Sequence, residues 1–118
     1  MTVYVLHFSK PYKHARHYIG YTPDASAARR VQEHISGSVK GNPLVKAAID
    51  NGATVTLAHE FPGASREFER WLKDRRDVGS WCHCCGIKSK PLPDPKNIRD
   101  RYRERKAAEA RRYKTEAA

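Results

Sequence analysis

Nowhere in the 118 residues does an apolar stretch approach the roughly 20 residues that a membrane span requires. The apolar segment near the start, residues 2–8, is too short for a secretory signal and lacks its flanks. The expected setting is therefore intracellular, in the cytoplasm, with no membrane partner. Cysteine is scarce, and Cys82, Cys84 and Cys85 are crowded into one short segment. Three thiols so placed cannot build a disulfide framework, and a reducing compartment would leave them free for a metal. Acidic residues are also few, 13 against 23 Lys and Arg, which gives a formal net charge of +10. That surplus points to a polyanionic partner, held through counterion release from phosphates, more than to an acidic membrane surface. Residues 86–118 hold 11 Lys and Arg against 5 Asp and Glu, so the excess is concentrated at the end of the chain.

A chain of this length has room for one compact core of roughly 80 residues and an appendage. Apolar, β-branched and aromatic residues mark strands over residues 2–9, 16–21 and 53–61. Lys10-Pro11-Tyr12-Lys13-His14 between the first two is too short for a helical crossover, so those strands should form an antiparallel hairpin. Thr22 or Asp24 can cap a helix whose apolar stripe is Ala28, Val31 and Ile35 and which stops near Gly37. Asn42-Pro43 opens a second helix, with Leu44, Ala47 and Ala48 facing inward, and Asn51-Gly52 ends it. After the turn at Pro62-Gly63, Ala64, Phe68, Trp71 and Leu72 give the buried face of a third helix. The spacing predicts an α/β (α+β) fold, a small central three-stranded antiparallel sheet flanked by helices in ββααβα order, plus a basic C-terminal helix. Residues 1–78 form the expected core domain, 79–95 a cysteine-rich knuckle and proline-stiffened linker, and 96–118 a basic tail. The tail is rich in Arg, Glu, Lys and Ala, with Ile98, Tyr102 and Tyr113 as its few large apolar residues. It should be helical, but without a continuous stripe it is expected to project or stay partly disordered.

Phosphodiester hydrolysis needs a base or oriented water, a cation near the developing charge on the phosphate, and often a metal. The residues for all three are present. Tyr18, Gly20 and Thr22 project to one side of the second strand, where Gly20 permits close approach to the backbone, and Tyr4 on the neighbouring strand can lie beside Tyr18. A phenol with an ordinary pKa of about 10 is a poor base alone and needs a metal or Arg beside it. Arg30 and His34 are four apart on one helix and can enter one cleft, the planar guanidinium being suited to two parallel hydrogen bonds to phosphate. Glu69 lies beside the apolar stripe of Phe68 and Leu72, at the edge of the core, as a candidate single ligand for a metal.

With those residues in that order, residues 3 to about 76 resemble a GIY-YIG nuclease domain of the small single-domain bacterial or phage type. Tyr18-Ile19-Gly20 stands as the second half of the motif, and Thr2-Val3-Tyr4 represents the first half without its leading glycine. Arg30 with His34 matches the family's Arg and His, and Glu69 with Lys73 matches its Glu and Lys. The Tyr18-to-Arg30 interval is longer than is usual in the family. The resemblance implies a metal-dependent endonuclease, with Glu69 binding Mg²⁺ or Mn²⁺, Arg30 holding the scissile phosphate, Tyr18 or Tyr4 orienting or deprotonating the attacking water, and His34 assisting. It favours DNA as the substrate. The alternative is a non-catalytic nucleic-acid-binding or interaction module on the same fold.

Phosphate contacts outside the catalytic set are expected from Arg16 and His17 in the hairpin, from Lys73, and from Arg99, Arg101 and Arg103 in the tail, which would track the backbone without reading bases. His14 and His17 flank Arg16 and can instead cap the strand turn. Cys82 and Cys85 have the CxxC spacing of half a zinc site. The other half is not evident, with Cys84, His59, His34 or a second chain as candidates, and free cysteines packed beside Trp81 as the competing reading.

Overall fold

A computed structural model describes residues 1–36, 41–85 and 91–117, the last five of these as backbone only. Three strands, β1 (Thr2–Tyr12), β2 (Ala15–Thr22) and β3 (Val55–Pro62), form one antiparallel sheet in the order β2-β1-β3. The helices are α1 (Ala28–Ile35), α2 (Pro43–Asp50), α3 (Arg66–Arg75) and α4 (Pro95–Ala117), with a 3₁₀ turn at Val78–Trp81. The order up to α3 is the expected ββααβα.

The central strand is covered on both faces, which is why residues 2–6 read as a run rather than an alternation. Val3 and Val5 pack toward Phe61, Phe68, Leu72, Trp81 and Cys82. Tyr4, Leu6 and Phe8 pack on the opposite face with Val31, Val45, Ala48 and Val55. The hairpin is tighter than its polar sequence suggests, because β1 runs on through Pro11 and Tyr12 and the chain reverses at Lys13-His14, with Lys13 at φ 54°. Its register sets Tyr4 opposite Gly20, Leu6 opposite Tyr18 and His7 opposite His17.

Local chemistry explains the helix ends. Asn42 Oδ1 accepts the Leu44 N–H at 2.8 Å and Pro43 takes the first helical position of α2. Gly52, at φ +90°, closes the same helix. Ser65 Oγ accepts the Phe68 N–H to start α3. Neither Thr22 nor Asp24 caps α1. Its N-terminus is held instead by Glu60 from β3, whose carboxylate accepts the Ala27 N–H at 2.8 Å.

Two inward faces differ from the periodicity. In α1, Val31 and His34 are buried while Ala28 and Ile35 are exposed, Ile35 by 43%. The helix turns toward the core a polar ring that finds hydrogen-bond partners there, and this outweighs one isoleucine on an eight-residue helix. In α2, Val45 and Ala48 are the buried pair, and Leu44 and Ala47 are at its margins. The expected stop at Gly37 and the Tyr113 side chain lie outside the described residues. α4 does not simply project. Ile98 packs against the α3-side core, Tyr102 is half-buried, and Arg103 pairs with Glu67 of α3 at 2.8 Å. Among the described residues, no helix is long and apolar enough to cross a membrane.

Candidate active site and metal centre

Gly20 is what brings the aromatic residues of the site together. A Cβ at residue 20 would fall inside the Tyr4 phenol, so the ring occupies the space that any other side chain would fill. From there Tyr4, 1% exposed, reaches across to α1, where its Oη lies 2.8 Å from His34 Nε2. The other ring nitrogen, His34 Nδ1, accepts the Asn42 backbone N–H at 3.1 Å. A backbone N–H can only donate, so Nδ1 carries the lone pair and Nε2 carries the proton, which it donates to Tyr4. The Tyr18 ring centroid lies 6.3 Å from that of Tyr4 and 5.3 Å from that of His34. The three aromatic residues expected at one site are in contact as a group.

Arg30, one turn before His34, hydrogen-bonds both to Glu33, at 2.8 Å, and to Tyr4. Glu69 on α3 pairs with Lys73 at 3.3 Å and more loosely with Arg66 at 3.8 Å, and its own side chain is largely covered. The charges of Arg30 and Glu69 both act on the two phenols. Burial is the main effect and raises the pKa of each tyrosine, with the Tyr18 charge adding to the rise at Tyr4 and Arg30 opposing it in both cases. Neither phenol is therefore a phenolate at rest. Tyr4 is enclosed, while Tyr18 borders a cleft of about 360 Å³ that Asn42, Lys73 and His17 also line. Asn42, which sequence reasoning treated only as a cap, is thus part of the site. Two larger grooves, of about 470 and 400 Å³, lie along α3 and α4 and contain none of the expected catalytic side chains.

Burial holds the His34 pKa below its ordinary value, with Arg30 reinforcing and Glu33 opposing. His7, His17 and His59 are lowered by burial in the same direction. A histidine kept neutral in the fold but free to protonate when unfolded costs stability as pH falls below the unfolded value of about 6.5. The loss continues through the lowered folded value and is absent above about pH 7.5. Denaturation midpoints of the full chain should fall between about pH 7.5 and pH 5.5, and a His34→Gln variant should flatten part of that slope.

His7 and His17 stand at the cysteine pair, whereas His59 and His34 do not, and Cys84 hydrogen-bonds to Cys82 from outside the four-residue group. His7 Nδ1, His17 Nε2, Cys82 Sγ and Cys85 Sγ all lie within 4.8 Å of one another, a group that could hold a metal ion. His34 is committed to Tyr4 and Asn42, and His59 pairs with His83 at 3.2 Å. The Cys85 N–H donates to the Cys82 carbonyl at 3.2 Å and closes the CxxC turn. His7 was not singled out in the sequence. The signal was available in the hairpin register, since the pairing that sets Tyr4 against Gly20 also sets His7 against His17. Arg16 is close enough to add to the lowering of both imidazoles, second to burial at His7 and after burial and His7 at His17.

The remaining basic candidates are partly engaged. Arg99 pairs with Asp100 at 3.1 Å, Arg103 with Glu67, and Lys73 with Glu69, while Arg101 lines a groove with Trp71 and Arg75. Comparison of the chain with family models, curated proteins and solved structures yields no match, and the site stands on its own geometry.

Proposed function

We propose that the cleft beside Tyr18 is the active site of a metal-dependent endonuclease of the GIY-YIG type, acting on nucleic acid, with DNA favoured by the resemblance. The observation that carries the reading is the convergence of Tyr4, Tyr18, Arg30, His34 and Glu69 from four different elements, joined by the buried Tyr4–His34 hydrogen bond. A core-packing role would need neither the shared guanidinium nor the carboxylate. Glu69 suits a hard divalent ion, since Mg²⁺ or Mn²⁺ takes one or two carboxylates and completes its shell with water and phosphate oxygens. Lys73 and Arg66 already balance the charge of Glu69 from exposed positions, and both can swing away. When bound, the divalent cation supplies positive charge at the phosphate oxygens. The Cys/His cluster adjoins this cleft through His17, and its sulfur donors suit Zn²⁺ instead.

The protein's own groups then have defined tasks. Arg30 presents its fork to the scissile phosphate and keeps its hydrogen bond to Tyr4. Tyr4 accepts from both Arg30 and His34, so its hydroxyl proton is left to donate. Tyr18, at the cleft, would orient the attacking water by accepting a hydrogen bond from it. His34 holds Tyr4 and does not meet the phosphate. Lys73, Arg16 and α4 supply backbone contacts along the nucleic acid.

The test is cleavage of supercoiled plasmid and of branched and single-stranded oligonucleotides with Mg²⁺, with Mn²⁺ and with chelator, with binding followed by fluorescence anisotropy. Metal-dependent cutting that falls about 100-fold in Arg30→Ala, with binding retained, is the expected result. Absence of cutting on every substrate, with salt-sensitive binding intact, would replace the enzyme with a nucleic-acid-binding module.

A further inference from the structure

The geometry points to a closed, structural Zn²⁺ site formed by His7, His17, Cys82 and Cys85, which fastens the β1–β2 hairpin to the segment entering α4. A tetrahedral Zn²⁺ with Zn–N of about 2.0–2.1 Å and Zn–S of about 2.3 Å spaces its donor atoms about 3.3–3.8 Å apart. Here His7 Nδ1 is 3.4 Å from His17 Nε2 and 3.4 Å from Cys82 Sγ. Cys85 Sγ is 3.5 Å from His7 Nδ1 and 3.3 Å from His17 Nε2. These are edges of such a tetrahedron, made by atoms from three separate stretches of chain.

The placement is built by the fold. Cross-strand register brings the two imidazoles together, and the CxxC turn presents both sulfurs on one side, with Cys82 fully buried and Cys85 at the surface. A Cβ placed on Gly79, just before the turn, would meet His17 Cε1 at 3.7 Å, an ordinary van der Waals distance, so the 3₁₀ segment lies close against the hairpin. Four protein donors leave no position for water or substrate, which assigns the site a structural rather than a catalytic role. Two thiolates and two neutral imidazoles also balance the dication without an acidic residue. Cys84 is exposed and outside the four-residue group, although it hydrogen-bonds to Cys82, and it serves as the comparison for the two ligand thiols.

The experiment uses the full chain purified under reducing conditions. Elemental analysis should find about one equivalent of Zn²⁺ per chain, and Co²⁺ exchange should give the intense visible bands of tetrahedral coordination with thiolate-to-metal charge transfer below them. Cys85→Ser and His17→Ala should lose the bands or shift them toward weaker, more oxygen-rich coordination, whereas Cys84→Ser and Glu69→Gln should leave metal content and spectrum unchanged. Chelation should lower the melting temperature of the wild type and of Cys84→Ser and leave that of Cys85→Ser nearly fixed. A reduced chain that takes up no Zn²⁺ or Co²⁺ would overturn the inference, as would six-coordinate Co²⁺ spectra or equal losses in Cys84→Ser and Cys85→Ser. Metal lost on Glu69→Gln but kept on Cys85→Ser would also overturn it. None of these readouts depends on cleavage, so the zinc site and the nuclease reading fail independently.

Discussion

Glu69→Gln is expected to reduce cleavage by about 10²–10³-fold, the scale set by loss of one preorganised electrostatic partner of the transition state. Its effect on stability should be slight. The amide has the shape of the carboxylate, and the interactions given up are ion pairs with Arg66 and Lys73, whose side chains are 74% and 42% exposed. Such pairs contribute a few tenths of a kcal/mol each. Affinity for nucleic acid without divalent cation should hold or rise, because a negative charge near the phosphate is removed. The same assay on Lys73→Gln separates the partners, with weaker binding as the main effect there. Cleavage by Glu69→Gln at the wild-type rate, measured with Mg²⁺ and again with Mn²⁺, would remove the carboxylate from the mechanism.

Gly20→Ala should be the most damaging conservative substitution in the hairpin. The added methyl group meets the Tyr4 ring, which is held from its other end by His34 and enclosed in the core. Neither neighbour can yield cheaply, so the overpacking should cost about 3 kcal/mol and lower the melting temperature by roughly 10 °C. Gly63→Ala provides the comparison. Nothing lies within 4 Å of its Cβ position, and its φ of +75° is the only penalty, about 1 kcal/mol. If Tyr4 is forced out, its contact with Arg30 goes with it, and cleavage should fall even at temperatures where Gly20→Ala remains folded. Equal melting temperatures for Gly20→Ala and wild type would mean that the ring has another place to go.

Much of the fold was legible because local chemistry and tertiary packing agree. The run from Val3 to Leu6, the Asn42-Pro43 start, the Asn51-Gly52 stop and the Pro62-Gly63 turn each specify one local structure, and each is present. The α1 face was not legible, since hydropathy ranks Ile35 above His34. Only the tertiary partners of the ring, Tyr4 and the Asn42 N–H, make its burial favourable. Docking of α4 was hidden for a related reason, because two apolar residues and one Arg103–Glu67 pair do not form a stripe. Of the candidate site, Tyr4, Tyr18, Arg30, His34 and Glu69 were named from order and spacing, and the fold brings Tyr4, Tyr18, His34 and Arg30 into one group. The metal centre was half visible, since Cys82 and Cys85 are adjacent in sequence, whereas His7 and His17 meet them only through folding.

The hairpin register has a practical corollary for altering this chain. Tyr4 and His7 leave the same strand on opposite faces, and β2 answers each at a fixed position, Gly20 and His17. A single residue inserted between positions 4 and 7 would keep one of these pairings and destroy the other. An insertion at the Lys13-His14 turn lies beyond both pairs and leaves each in step. That turn is where a fluorophore, an affinity tag or a guest domain can be spliced in with both centres intact.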